Sequence, residues 1–286
     1  MEDIEIYIDK YKTYLVLEKS LSSNSIAAYL NDIHKLVEYC QENHHIKTLE
    51  NITDEILADF LKRMEEDGFG DRTQARNICS LRQFFKFLVF DGVLPDTPTK
   101  LLKAPKISRK IPIILTDKEV NSIMDAIEMY KPEGQRNKAI IEMLYSCGLR
   151  VSELIDIKLS NIDFRHDKVK IEGKENKDRV IPLSNNTKVE IKKYLKAYRD
   201  YLDIPQEYED ILFLSKKGTA LSRVMLFNIV KHLAKKAGIK KRVSPHTLRH
   251  SFAAGLVKKG IDLSKLQDLL GHSSILTTET YIYCNN

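Results

Sequence analysis

The sequence predicts a mainly α-helical protein of two domains, the second of which carries a small antiparallel β-sheet. Apolar residues recur at three- and four-residue steps through most of the chain, as amphipathic helices require. Alternation with a period of two is confined to residues 162–183. Prolines cluster between the two helical regions, and a length of 286 residues suits about two domains of ordinary size.

The first predicted domain covers residues 1–96 and is helical throughout. Four helical segments follow one another in it, among them "SNSIAAYLNDIHKLVEYCQEN" and "RTQARNICSLRQFFKFLVFDG". The helical period then stops, and Pro98, Pro105 and Pro112 punctuate a stretch without periodicity. We therefore expect a linker at residues 97–114.

The fourth helical segment carries a basic stripe that we name as a candidate DNA-binding surface. Spacing of four residues places basic side chains in pairs on one helical face: Arg72 with Arg76, and Arg82 with Lys86. Such a stripe suits contacts with phosphates and bases. A solvated face opposite the apolar side of the same helix explains the pattern equally well.

The second predicted domain covers residues 115–286. Thr116 and Glu119 have the spacing of a capping box, so a helix should begin there. Gly148 is expected to end a later helix, which leaves Arg150 in a corner between two helices. The period-two segments "KVKIEG" and "RVIPL" predict a hairpin with Lys174 and Lys177 at its tip. The remainder of the domain is helical again.

The stretch "SPHTLRHSFAAGLVKKG" places basic side chains on the first turn of a predicted helix, where they do not stabilise it. With Ser244 as the cap and Pro245 in the first helical position, His246 and Arg249 lie three residues apart on one face. Cations near the positive end of a helix dipole do not stabilise the helix, so this face suits a bound anion. Further along, "DLSKLQDLLGH" predicts a helix that ends at Gly271 and leaves His272 just beyond it.

Charge along the chain indicates a polyanionic partner. Residues 1–100 carry 12 Lys and Arg against 18 Asp and Glu, whereas residues 101–286 carry 34 against 22. Nucleic acid is the first candidate, because phosphate neutralisation supplies much of its sequence-independent affinity, although a solvated basic surface gives the same count. The sequence shows neither an apolar run of membrane-spanning length nor a signal peptide, so we expect a cytoplasmic protein that does not enter membranes.

Five blocks, in order, resemble the tyrosine recombinase (phage integrase) family, most of all its Xer branch. They are "LSSNSIAAYLNDI", "SCGLRVSEL", "GKENKDRVIPL", "SPHTLRHSFA" and "LLGHSSILTTETY". The resemblance covers nearly the whole chain. It implies an N-terminal SAM-like core-binding domain and a C-terminal catalytic domain, which together form a C-shaped clamp around duplex DNA.

The resemblance also implies a mechanism. Tyr281 matches the nucleophile, which forms a 3′-phosphotyrosyl link and releases a 5′-hydroxyl. Arg150 and Arg249 match the arginines that bind the non-bridging oxygens, where planar guanidinium forks suit the charge. Lys174 matches the general acid for the leaving oxygen. His246 matches the residue that assists proton transfer from Tyr281, and His272 matches a phosphate ligand. No ATP, metal or other cofactor is implied.

The expected partner is duplex DNA with a specific recombination site. A tetramer on two such sites is expected, with or without a second recombinase. The family commonly continues past the nucleophile with a further helix that docks on the neighbouring subunit, whereas five residues follow Tyr281 here, so subunit contacts should come from elsewhere or from a longer chain. Resolution of chromosome or plasmid dimers is the expected role. The alternatives are a mobile-element integrase, a DNA invertase, a type IB topoisomerase and an inactive DNA-binding protein.

Several residues also fit different roles. Lys174 and Lys177 have the position of ordinary solvated turn lysines, and Lys177 is a candidate for contact with DNA. Tyr283 is a rival nucleophile, although its spacing from His272 does not match the family. His246 and His250 stand four residues apart as a helical metal pair would. They lack the adjacent glutamate of a zincin motif, since Thr247 follows His246, and no metal site is predicted.

Overall fold

The structure is a computed structural model that describes residues 2–107, 111–173, 178–272 and 274–282. The chain divides into two compact units, residues 1–109 and 110–286. Within the described residues, no helix combines the length and the apolar character that crossing a bilayer demands.

The first unit is a bundle of helices around an aromatic core. Its described residues form α1 (Glu2–Leu17), α2 (Ser23–His44), α3 (Asp54–Glu66) and α4 (Asp71–Phe90). The ring of Tyr11 on α1 packs against Phe84 and Phe87 of α4, with ring centroids 5.1 and 5.4 Å away. Tyr11 and Phe84 are fully buried, and burying one such ring stabilises a fold by about 1.5–3 kcal/mol. The aromatic face of α4 therefore points into the bundle, and its basic residues lie on other faces.

The second unit is mostly helical and contains one small sheet. Its described elements are α5 (Asp117–Asp125), α6 (Gly134–Cys147), α7 (Val151–Ile155), β1 (Ile162–Asp163), β2 (Lys168–Ile171), β3 (Arg179–Pro182), α8 (Asn185–Ala197), α9 (Arg223–Lys236), α10 (Pro245–Lys258), α11 (Leu263–Leu270) and α12 (Ile275–Glu279). Helix α6 lies at the centre and packs against α8 and α10. It buries residues around its circumference, including Ala139, Ile140, Ile141 and Leu144, as a central helix must.

The sheet is antiparallel, with strand order β1-β2-β3. Val169 of β2 lies between Ile162 of β1 and Ile181 of β3. Residues along β2 alternate between exposed and buried, which places one face of the sheet against the core. The predicted hairpin is confirmed, while the short strand β1 was not predicted. The hairpin tip, residues 174–177, lies outside the described residues.

The predicted helix boundaries around the basic residues are also found. Thr116 and Glu119 form the capping box that opens α5. Ser244 caps α10, whose first residue is Pro245. The mainly α-helical fold with a small antiparallel sheet is therefore confirmed. The remainder of the domain was predicted to be helical, but Tyr281 follows the end of α12.

Gly148 brings the end of α6 against α10. Its φ of 60° is left-handed, a conformation that glycine adopts without strain. A Cβ atom at this position would lie 2.3 Å from the Phe252 ring of α10. Any larger residue would push the two helices apart and displace Arg150, which caps α7.

Candidate active site

Arg249 is held by the carboxyl ends of two helices. The side chain is buried, Nη1 donates to the Gly148 carbonyl at 2.6 Å, and Nη2 donates to the Leu270 carbonyl at 2.7 Å. Carbonyl groups at helix ends lack partners within the helix and carry partial negative charge, so they suit a guanidinium group. Burial and then the charge of Arg150 lower the pKa of Arg249 to about 10. The group therefore stays charged at neutral pH.

Arg150 approaches the same end of α11 from the corner between α6 and α7. Its Nη2 donates to the Gly271 carbonyl, and its Nη1 donates to Glu153 Oε1 at 2.7 Å. The side chain is 37% exposed. Arg150 thus contacts solvent, while Arg249 beside it is enclosed.

Glu153 binds both of these arginines and a third one from the sheet. Arg179 of β3 forms two hydrogen bonds of 2.8 Å with the Glu153 carboxylate, and Arg249 Nη1 lies 3.7 Å from it. Burial alone would raise the pKa of Glu153, but the hydrogen bonds and charge of Arg179, followed by hydrogen bonds from Arg150, bring it down to about 2. Because three guanidinium groups share one carboxylate, this arginine cluster keeps a positive charge and suits an anion.

Gly271 and His272 follow α11 at the edge of this cluster. Gly271 has a φ of 62° and ends the helix, as the sequence predicted. A Cβ atom there would lie 3.1 Å from Arg179 Nη1 and 3.4 Å from Arg150 Nη1. His272 Nδ1 lies 3.0 Å from Thr278 Oγ1 of α12. The turn after α11 therefore places a histidine beside the arginine cluster.

Tyr281 is buried beside two histidines. Its side chain is 2% exposed and packs with Ala253, Leu266 and Leu270. The hydroxyl lies 2.8 Å from His250 Nδ1. The ring stacks on His272, with centroids 6.4 Å apart and planes 17° apart. The phenol oxygen therefore meets an imidazole nitrogen directly.

The histidines around this phenol favour the neutral form. Burial, followed by His246 and Arg249, lowers the pKa of His250 to about 4. Burial, followed by Arg249, Arg150 and other neighbours, lowers the pKa of His272 to about 4. Desolvation, then Arg249 and Arg150, also lowers the pKa of His246 on the first turn of α10. Neutral imidazoles can accept protons as well as donate them.

The structure thus brings five of the six residues predicted to be catalytic into one region: Arg150, His246, Arg249, His272 and Tyr281. The sixth, Lys174, lies outside the described residues, as do Lys177 and the rival nucleophile Tyr283. Glu153, Arg179 and the contact of His250 with the phenol were not predicted. The capping-box spacing of Glu153 from Arg150 was a usable local signal.

The basic stripe on α4 divides into residues with different surroundings. Arg72, Arg82 and Lys86 are exposed. Arg76 instead forms an ion pair with the buried Asp32 carboxylate and donates to the Ala28 carbonyl. Arg82 donates to the Leu102 carbonyl. Two of the four candidate DNA-binding residues on α4 are therefore engaged with other parts of their own unit.

Comparison with protein families gives two matches. Residues 114–286 match the Phage integrase family. Residues 8–92 match the Phage integrase N-terminal SAM-like domain. The first match covers more than half of the chain and includes every residue of the site described above.

Similar sequences extend over nearly the full length. The chain is 35% identical to the tyrosine recombinase XerD of Listeria innocua serovar 6a over 276 residues, 96% of this chain and 93% of the relative. It is also 35% identical to the tyrosine recombinase XerD of Staphylococcus aureus strain Mu50 over 280 residues, 98% of this chain and 94% of that relative.

Solved structures with the same fold include recombinases captured on DNA. A post-cleavage complex of the XerH site-specific recombinase with a palindromic difH substrate matches with a TM-score of 0.75 and 26% identity, over 90% of this chain and 75% of that one. A λ integrase dimer bound to a core site matches with a TM-score of 0.75 over 97% of this chain and 94% of that one. Its 20% identity shows the fold alone.

Proposed function

Because this chain belongs to the phage integrase family of tyrosine recombinases, we propose that it is a site-specific recombinase that cleaves and rejoins duplex DNA through Tyr281. One observation carries the proposal. Arg150 and Arg249 donate to the adjacent Gly271 and Leu270 carbonyls at the end of α11, and Tyr281 stacks on the histidine that follows. The cations that would bind a phosphate and the tyrosine that would attack phosphorus are thus gathered around the end of α11.

The arginines account for the stabilisation of charge. Two guanidinium forks from Arg150 and Arg249 bind the non-bridging oxygens, whose charge grows at the pentacoordinate phosphorus. Glu153 orients both forks and remains ionised, since its pKa lies near 2. The fixed carbonyl contacts of Arg249 support this role, because a preorganised cation loses little energy to rearrangement during the reaction.

The proposed reaction has a cleavage step and a rejoining step, and every bond that breaks is matched by one that forms. The Tyr281 hydroxyl passes its proton to a neighbouring histidine, which the family resemblance identifies as His246. The Tyr281 oxygen attacks phosphorus, the bond from phosphorus to the 5′-oxygen breaks, and a 3′-phosphotyrosyl link remains. Lys174 protonates the leaving 5′-oxygen, and His272 contacts the phosphate. A 5′-hydroxyl from a second strand then attacks the link and returns its proton to Lys174. Tyr281 is released and takes back the proton held by the histidine. The number of phosphoester bonds is unchanged, so the reaction requires no ATP.

We assign a different function to each of the two units. We assign residues 1–96 to core DNA binding, residues 97–114 to a linker and residues 115–286 to catalysis. The matched SAM-like segment and the matched integrase segment support this division. In the first unit, Arg72 and Lys86 remain the better candidates for contact with DNA, because Arg76 and Arg82 are held by internal partners.

The biological role we propose is resolution of chromosome or plasmid dimers in the cytoplasm. The XerD relatives and the XerH complex on difH support a role of the Xer type. Two protein dimers, each on one DNA site, would form the active tetramer. The sites are short duplex sequences that the chain recognises.

A two-site exchange assay tests this function. The protein first selects its site from fragments of its host genome, and two copies of that site are placed in one plasmid. In the presence of EDTA, the wild-type protein should resolve the plasmid into two circles, and Tyr281→Phe should not. Relaxation of the plasmid without resolution would instead assign topoisomerase activity, and binding alone would assign an inactive DNA-binding protein.

A further inference from the structure

His250 is placed to act on the nucleophile itself. Its Nδ1 lies 2.8 Å from the Tyr281 hydroxyl, within ordinary hydrogen-bonding distance. The two ring centroids are 5.6 Å apart and the planes are tilted by 50°. This tilt lets the edge of the imidazole, rather than its face, meet the oxygen.

The backbone that carries His250 is fixed on both sides. The preceding residue, Arg249, is anchored to the ends of α6 and α11 by two hydrogen bonds. The following residue, Ser251, accepts from the Leu115 backbone N–H at 2.8 Å and donates to the Thr247 carbonyl at 2.8 Å. A side chain mounted between two anchored residues keeps its direction, which is a requirement for proton transfer in a catalytic site.

The surroundings of His250 keep a lone pair available on its Nδ1 atom. His246 and Arg249 face it from α10, His272 faces it from the turn after α11, and Tyr281 faces it from beyond α12. Burial, followed by the neighbouring His246 and Arg249, lowers the pKa of His250 to about 4. The imidazole is therefore neutral at neutral pH, and in the tautomer protonated on Nε2 it accepts at Nδ1.

We propose that His250, rather than His246, accepts the phenol proton of Tyr281 when the phenol oxygen attacks phosphorus. This inference rests on the recombinase function proposed above. As the bond from oxygen to phosphorus forms, the proton passes to Nδ1 and gives an imidazolium ion, while Lys174 supplies a separate proton to the leaving 5′-oxygen. Both transfers reverse when the strands rejoin. The negative charge that collects on the phosphate offsets the cost of the buried imidazolium ion.

The experiment compares His250→Asn with the wild-type protein in single-turnover formation of the covalent adduct. The probe is a nicked suicide duplex that carries the site selected by this protein from genomic fragments. Asn places an amide near the position of Nδ1 and keeps a hydrogen bond, but it cannot accept the proton. We expect the rate to fall by about 100- to 10,000-fold, the usual contribution of a general base. Affinity for the intact duplex should not change.

A second measurement separates proton transfer from mere positioning. Replacing Tyr281 with a difluorinated tyrosine makes the phenol more acidic and reduces its need for a base. With this residue, the difference between His250→Asn and wild type should shrink to about tenfold or less. His232→Asn, an exposed histidine of α9, serves as the matched control and should react at the wild-type rate. If His250→Asn does not fold, His250→Gln gives the same comparison.

Two results would overturn the inference. The first is His250→Asn reacting at the wild-type rate, which would leave His250 without a part in proton transfer. The second is a defect of equal size with tyrosine and with difluorotyrosine, which would assign His250 to positioning alone. Failure of the proposed function looks different, since the wild-type protein itself would then form no adduct at any site that it selects.

Discussion

Arg150 and Arg249 donate to the carbonyls of consecutive residues, Gly271 and Leu270, at the end of α11. One arginine caps α7 and the other lies on α10, so a single helix end sets the distance between two guanidinium groups from different elements. Their common carboxylate, Glu153, fixes them from the other side. The end of α11 is therefore a structural part of the proposed phosphate site.

Gly271→Ala should damage this arrangement beyond its effect on stability. Gly271 and Gly260 both have left-handed φ values, 62° and 82°, so alanine costs about 1 kcal/mol of backbone strain at either position. Only the Cβ at position 271 meets neighbours, Arg179 and Arg150, within 3.4 Å, because the space around Gly260 is open. We expect both variants to lose similar stability in urea unfolding. Adduct formation should fall at least tenfold in Gly271→Ala and remain unchanged in Gly260→Ala.

Glu153→Gln should lower stability in a manner that depends on pH. The pKa of Glu153 falls from an ordinary value of 4.5 to about 2 in the folded chain. Its ionisation therefore contributes stability that is fully present above pH 4.5 and is lost as pH falls toward 2, on the order of 3 kcal/mol in all. Urea unfolding at pH 7 should show Glu153→Gln to be less stable than wild type. A difference of the same size at pH 7 and at pH 3 would contradict the shared-carboxylate account.

The histidines predict a second and separate dependence on pH. The folded-state pKa values of His250 and His272 lie near 4, below the ordinary 6.5. The unfolded chain therefore binds protons first, and unfolding free energy should fall as pH drops from 6.5 to 4, by up to about 1.4 kcal/mol per pH unit for each histidine. His272→Asn should flatten this slope, whereas His232→Asn should not. Equal slopes in all three proteins would show that His272 has no such shift.

Substitutions of Arg76 and Lys86, which both lie on α4, should affect different properties: the first should lower stability and the second should weaken DNA binding. Arg76→Gln leaves Asp32 buried without its cation, which should cost about 1–3 kcal/mol in unfolding free energy. Lys86→Gln should cost little stability, but it should weaken binding to the selected duplex and reduce the salt slope by about one. The measurements are urea unfolding and affinity at several salt concentrations. A stable Arg76→Gln protein would show that the ion pair with Asp32 contributes little to the fold.

Local signals explain what the sequence could predict. A glycine that ends a helix is recognisable from the pattern before it, and for this reason the positions of Arg150 and His272 beyond their helices followed from Gly148 and Gly271. The cap at Ser244 likewise placed His246 and Arg249 on the first turn of α10.

Partners distant in the chain explain most of what the sequence did not show. Glu153 meets Arg179 and Arg249 across the fold, and Tyr281 meets His250 only because α12 returns the chain to α10. The same reason applies to Arg76, which looked like a free surface residue until its partner Asp32 was located on α2. Strand β1 has two residues, too few to leave a periodic pattern.

Trapping of the covalent intermediate tests the central claim most directly. The wild-type protein is incubated in EDTA with the nicked suicide duplex, and the protein bound to DNA is digested and mapped. We expect a covalent band in denaturing gels whose phosphate is attached to Tyr281, and no band with Tyr281→Phe. An adduct on Tyr283, or an adduct that persists in Tyr281→Phe, would contradict the assignment of the nucleophile.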